Sequence, residues 1–213
     1  MLAAAAASIP LPVRIAGMHP DLAALLDRRL GSGADVAAID AEVWQRFGTR
    51  LAMLVTDLSG FSRAVAERGI VHVLQTIYES ERLLVPIAQT HRGTLVKIEG
   101  DSFLVIFAEA SDAVSTALHM QRATAEYNAT RPADARVLLG CGIGFGEVLR
   151  VGEADVFGTE VNAAYILGED TARAGEILVT RAVRDALPQL DCEPVADSPP
   201  GTGGAFRIRS GPR

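Results

Sequence analysis

Residues 94–107 read TLVKIEGDSFLVIF, two alternating runs that meet at Glu99-Gly100-Asp101. Alternation with period two marks half-buried strands, and a glycine between two such runs marks a turn, so this stretch predicts a β-hairpin. It also contains Lys97, the one lysine among the 20 lysine and arginine residues of the chain.

Upstream, LAMLVTD (51–57) predicts a strand ending at Asp57, and LSGFS (58–62) leads into a helical period from about residue 61 to 91, interrupted near Gly69. Downstream, ASDAVSTALHMQRATAEYN (110–128) predicts a helix capped by Ser111 or Asp112. RVLLGCGIGFGEVLRVG (136–152) reads as a glycine-spaced pair of strands. A helix over about 158–172, the strand EILVT (176–180), a short helix to 187 and two weak strands complete the chain. The order after residue 50 is β-α-β-β-α-β with additions. That is an α+β, ferredoxin-like arrangement, an antiparallel sheet with helices on one face.

Before this unit, PDLAALLDRRLG (20–31) and DVAAIDAEVWQRFG (35–48) carry apolar residues at three- and four-residue spacing, and each closes on glycine. They predict an N-terminal helical extension over 20–48, after a loose tail over 1–19 and before one domain over 49–213. The opening MLAAAAASIPLPVRIAG lacks the basic start of a signal peptide.

With 49% hydrophobic and 22% charged residues among 213, the composition is that of a soluble globular chain. A net charge of -6 argues against nucleic acid, whose phosphates call for clustered Lys and Arg. No run approaches the ~20 apolar residues of a membrane span. Cys141 and Cys192 form neither a metal pattern nor a disulfide framework, which fits a reducing cytoplasm. The four histidines lack metal-ligand spacing and receive no chemistry.

Chemistry is suggested by Asp57 and Asp101, each placed where a strand gives way to a turn. A hairpin packed beside the first strand would bring them together. Two carboxylates suit divalent cations shared with substrate phosphates. The loop through Gly60, Phe61 and Ser62 opens a helix, whose first N–H groups can receive phosphate oxygens.

The segments LAMLVTDLSGFS, GTLVKIEGDSFLVIF, LLGCGIGFGEVL, DVFGTEVNAA and AGEILVT resemble, in order and spacing, the class III nucleotide cyclase catalytic domain over roughly residues 48–209. The resemblance implies that Asp57, Asp101 and the backbone of Leu58 bind two Mg²⁺ or Mn²⁺ ions, and that Gly60, Phe61 and Ser62 contact substrate. It further implies that Lys97 and Asp155 read the purine and that Asn162 orients the ribose during ring closure. The family builds its sites between two protomers, so a homodimer with nucleoside triphosphate as ligand is expected. Lys97 only donates and an ionised Asp155 only accepts, which complements the N1 acceptor and N6 donor of adenine and favours ATP over GTP.

Two positions depart from the family pattern. Ile166 stands four residues after Asn162, on the same helix face, where active relatives carry an arginine. The late triphosphate-binding lysine is missing from GTGGAFRIRS (201–210), where Arg207 or Arg209 is the candidate substitute. Glu99, just before the turn glycine, offers a carboxylate to a metal or to Lys97, but the mobility of turn side chains favours the solvated reading. The expected activity is adenylate cyclase. The alternative is a degenerate cyclase-like module that binds nucleotide or a partner without turnover.

Overall fold

The computed structural model describes residues 18–153 and 155–209, leaving aside the side chains of 61–64 and 134. The tail expected over 1–19 falls, through residue 17, outside the described residues. Helices α1 (Pro20–Arg29) and α2 (Val36–Phe47) come first. The Nδ1 of His19 accepts the Asp21 N–H at 3.2 Å, and the Asp35 carboxylate accepts the Ala38 N–H at 3.0 Å, so both helices start on side-chain caps.

Then follow β1 (Gly48–Leu58), α3 (Phe61–Arg68), α4 (Ile70–Thr90), β2 (Thr94–Glu99), β3 (Ser102–Phe107), α5 (Ala110–Asn128) and β4 (Leu139–Val151). The remaining elements are β5 (Asp155–Phe157), α6 (Thr159–Tyr165), a π turn (Ile166–Thr171), β6 (Ile177–Thr180), α7 (Arg181–Ala186), β7 (Cys192–Pro194) and β8 (Ala205–Ile208).

The strands form one sheet in the order β2-β3-β1-β4-β6-β8-β7, with β5 paired to β4. Its first four strands have the ferredoxin-like order. The β4–β6 pairing is parallel and the other pairings are antiparallel. No helix among the described residues is long and apolar enough to cross a membrane.

Helices cover both faces of the sheet, which corrects the expectation of one. Ala52, Leu54, Phe103 and Val105 pack with Leu84 of α4 and Ala113, Ala117 and Met120 of α5. On the opposite face Met53, Val55, Leu104 and Ile106 pack with Val161 and Ala164 of α6. Ala52 through Val55 are therefore all fully buried, and β1 reads as a continuous apolar run there. Met53, Leu54 and Val55 each contribute about 1.5–3 kcal/mol relative to exposure.

The glycine-spaced stretch is one 13-residue strand, β4, and not a pair. Gly140, Gly142, Gly144 and Gly146 share one face because side chains alternate along a strand. A Cβ on Gly142 would meet the Ala164 carbonyl and the Gly168 amide, and one on Gly146 would lie 2.8 Å from the Glu160 Cγ. Bare backbone on this face is what lets α6 lie directly on the strand. The Glu160 carboxylate then fastens α6 by accepting the Phe145 N–H at 3.1 Å and the Thr180 hydroxyl at 2.6 Å.

At the start of α5 the cap position is Glu109, without a side-chain cap bond, and not Ser111 or Asp112. The Asp112 carboxylate instead accepts from Arg92 at 2.6 Å, a contact set by the loop before β2. The α1–α2 pair buries Leu22, Leu25, Ile39 and Val43 against Val151 and Leu149, near the end of β4 where Val151 pairs with Asp155 of β5.

Candidate functional site

Asp57 is the penultimate residue of β1, and Asp101 lies in the β2–β3 turn immediately before β3. Thr56 pairs with Phe103 in the sheet, which brings the two strand ends side by side. The Ser102 hydroxyl and the Leu58 N–H favour the charged form of Asp57. Burial, followed by the negative charges of Asp101 and Glu169, nevertheless pushes Asp57 up to about 6. Burial and Glu169 raise Asp101 as well, against a bond from its own backbone N–H. These carboxylates share a site in which burial and like charge disfavour ionisation, a cost that a bound cation would offset.

That donor set fits a hard divalent cation. Among the described residues no group of three or more His, Cys, Asp or Glu side chains converges to hold a metal unaided. Two half-buried carboxylates at the end of a strand match the partial shell that Mg²⁺ completes with water and phosphate oxygens. The Leu58 side chain is buried, so only its backbone reaches this end of the strand.

Beyond β1 the Ser59 N–H donates to the Leu138 carbonyl at 2.7 Å. Gly60 then turns the chain with φ 90°, a left-handed conformation that favours glycine, and α3 begins with no side-chain cap bond. The cap position therefore offers the first amides of α3 no side-chain acceptor. The side chains of Phe61 and Ser62 lie outside the described residues.

Lys97 is aimed by a bulge. In β2 the ladder runs Leu95 to Val105 and then Lys97 to Leu104, so Val96 is the extra residue. Leu95 packs on the α4–α5 face, and in a regular strand Lys97, two residues on, would share that face. The bulge instead turns Lys97 toward α6. There its Nζ donates to Asp155 Oδ2 at 3.2 Å, lies 3.3 Å from Glu99 Oε1, and stands 5.9 Å from the centre of the Tyr165 ring.

Burial works against the ammonium, but the bond to Asp155, the influence of Tyr165 and the bond to Glu99 outweigh it and hold Lys97 above its ordinary value. Asp155 is fixed in turn by the Val156 N–H at 2.9 Å. The expected pair of Lys97 and Asp155 thus meets in one protomer. For Glu99 the alternative of pairing with Lys97 replaces the solvated reading: its side chain is 61% exposed, yet it lies 3.3 Å from the ammonium. Tyr165, which the sequence reading passed over, lies three residues after Asn162 on the same helix, and its hydroxyl is pushed up to about 12, mainly by burial.

Asn162 is exposed on α6. The helix expected over 158–172 keeps α geometry only to Tyr165 and continues as the π turn, in which the Ala172 N–H reaches back five residues to the Leu167 carbonyl. Ile166 is half-buried, its Cδ1 3.7 Å from where a Cβ on Gly201 would stand. The wider turn also brings Glu169 within electrostatic reach of both Asp57 and Asp101, a relationship invisible to a 3.6-residue period. Arg207 lies 3.0 Å from Glu176 and 3.4 Å from Glu193, and Arg209 lies 3.3 Å from Glu193 and 3.7 Å from Asp191. Both guanidinium groups are engaged along β6, β7 and the chain beside them.

A sequence model described as "Adenylate and Guanylate cyclase catalytic domain" matches residues 45–199. A Rhizobium meliloti protein named "Putative adenylate cyclase 3" is 31% identical over 135 residues, covering 63% of this chain and 22% of that protein. The chain thus matches about a fifth of that relative's length. The crystal structure of an adenylate/guanylate cyclase/hydrolase from Silicibacter pomeroyi aligns with TM-score 0.67 at 25% identity, over 76% of this chain and 96% of that one. The adenylyl cyclase CyaB of P. aeruginosa shares the fold with TM-score 0.63 at 21% identity, over 78% of this chain and 96% of that one. A family match across most of the chain, on a sheet that sets Asp57 beside Asp101 and Lys97 against Asp155, identifies it as a member of the adenylate and guanylate cyclase catalytic domain family.

Proposed function

We propose that this chain is a purine nucleotide cyclase that favours ATP, acting as a cytoplasmic homodimer and releasing 3′,5′-cyclic AMP and pyrophosphate. The observation that carries the reading is the 3.2 Å contact of Lys97 with Asp155, a donor beside an acceptor, within a cyclase-family fold. Adenine presents the complementary pair at N1 and N6. A mispaired base would leave a buried group unsatisfied, at a cost of about 1–3 kcal/mol.

In this reading Asp57, Asp101 and the backbone of Leu58 hold Mg²⁺ or Mn²⁺, two per site. When bound, such ions neutralise the triphosphate and lower the pKa of the ribose 3′-hydroxyl. The first amides of α3, after Gly60 and through Phe61 and Ser62, receive phosphate oxygens. Asn162 orients the ribose so that O3′ bonds to the α-phosphorus as the bond to pyrophosphate breaks and the hydroxyl proton passes to water. Lys97 and Asp101 sit on one hairpin but face different partners, Lys97 toward α6 and Asp101 toward Asp57. That divergence supports base reading by one protomer and metal binding by the other, with two equivalent sites per dimer.

A second reading, nucleotide binding without turnover, is favoured by one feature: Ile166 cannot donate where an arginine would stabilise transition-state charge, and Arg207 and Arg209 are engaged elsewhere. Incubating the purified protein with ATP or GTP and Mg²⁺ or Mn²⁺ separates the two. The proposal expects cyclic nucleotide and pyrophosphate in equal amounts, lost in Asp101→Asn. Tight nucleotide binding with no product from either metal would establish the second reading instead.

A further inference from the structure

Lys97 touches two carboxylates, not one. Its Nζ lies 3.2 Å from Asp155 Oδ2 and 3.3 Å from Glu99 Oε1. An ammonium has three N–H groups, and here one donates to Asp155 while the charge also pairs with Glu99, so the lysine has a carboxylate neighbour in each residue. Lys97 and Glu99 are two residues apart on β2, beyond the Val96 bulge, and therefore project from the same face of the strand. The two acceptors differ in freedom. Asp155 is 30% exposed and also bound to the Val156 N–H, whereas Glu99 is 61% exposed beside the Gly100 turn.

Purine edges differ in the same terms. Adenine shows a donor at N6 beside an acceptor at N1, and guanine shows an acceptor at O6 beside donors at N1 and N2. Asp155 with Lys97 matches adenine. Lys97 with Glu99 matches guanine, with the ammonium donating to O6 while the carboxylate accepts from N1–H and the N2 amino group.

Resting on the purine-site reading above, we propose that Glu99 is a specificity-determining residue that lets the Lys97 site accept guanine nucleotides alongside adenine nucleotides. The second reading of the base uses the looser, more exposed acceptor, so GTP is the weaker ligand. Removing Glu99 narrows the site toward ATP.

The test is binding of the non-reacting α,β-methylene analogues of ATP and GTP, with Mn²⁺ present, to the full chain and to Glu99→Ala, measured by calorimetry. Glu99 is exposed at a turn, so the substitution leaves the core untouched. The expected result is that both analogues bind the unaltered protein and that the ratio of GTP-analogue Kd to ATP-analogue Kd rises threefold or more in Glu99→Ala. A smaller change, a change in the other direction, or no binding of the GTP analogue to the unaltered protein overturns the proposal. Cyclic product from ATP is assayed on the same preparations. A shifted ratio without product leaves this inference standing and removes the cyclase reading, and product with an unshifted ratio does the reverse.

Discussion

Lys97 Nζ and Asp155 Oδ2 lie 3.2 Å apart across 58 positions of sequence. Lys97 reaches that place through the bulge at Val96, and Asp155 through the short strand β5 that pairs with the end of β4. The contact is a half-buried ion pair, and truncating one partner costs more than at the surface because it leaves the other partly desolvated and alone.

Lys97→Met keeps the length of the side chain and removes its charge. The variant should fold, by circular dichroism, and lose about tenfold in kcat/KM for ATP, near the ~1.4 kcal/mol of one lost hydrogen bond to a charged group. Unchanged ATP and GTP kinetics would show that this pair does not read the base.

Gly142→Ala places a methyl group against the Ala164 carbonyl and the Gly168 amide. Backbone cannot give way as a flexible side chain would, so α6 must lift from β4. The expected loss is about 1–3 kcal/mol in denaturant unfolding, together with a fall in kcat because α6 carries Asn162. Full stability in this variant would contradict the close packing of α6 on the strand.

The pH dependence follows from Asp57, whose folded-state pKa of about 6 lies above its ordinary 3.8. Between those values the folded state binds more protons than the unfolded one, so the stability of the metal-free protein falls as pH rises through that window. Asp57→Asn should therefore raise the Tm of metal-free protein at pH 7.5. Mn²⁺ should raise the Tm of the unaltered chain and have less effect on this variant. A Tm for Asp57→Asn below that of the unaltered protein would contradict the crowding of carboxylates at this end of the sheet.

Ile166→Arg restores a donor at the place where active relatives carry one. A group of this kind is worth about 100-fold in other enzymes, so turnover of ATP should rise at least tenfold. No gain in kcat would show that another group already fills the role or that the π turn directs position 166 away from the phosphates.

Much of this was legible in the amino acids. TLVKIEGDSFLVIF declares its hairpin because period-two runs flank a glycine, and the helix break at Gly69 lies where the sequence places it. The alternating glycines of β4 mislead because glycine signals both a turn and a close approach, and only the position of α6 distinguishes the two. Lys97 could be singled out as the lone lysine, but its direction depends on a one-residue bulge that appears only in the register. The pairing of Glu99 with Lys97 was within reach as the alternative to solvation, since two residues along a strand share a face. Glu169 was not, because its proximity to Asp57 depends on a turn wider than the α period.

The most direct test of the central claim is a mixing experiment with Asp57→Ala and Lys97→Met, ATP and Mn²⁺ being supplied and cyclic AMP measured. If the carboxylates of one protomer and the base-reading pair of its partner complete one site, the first variant is inactive and the second strongly impaired. Re-equilibrated in equal amounts they form half heterodimers, each with one intact site of two, and regain about a quarter of the unaltered activity. No cyclic AMP from the unaltered protein would contradict the enzyme, and an active parent with no recovery on mixing would contradict the shared site.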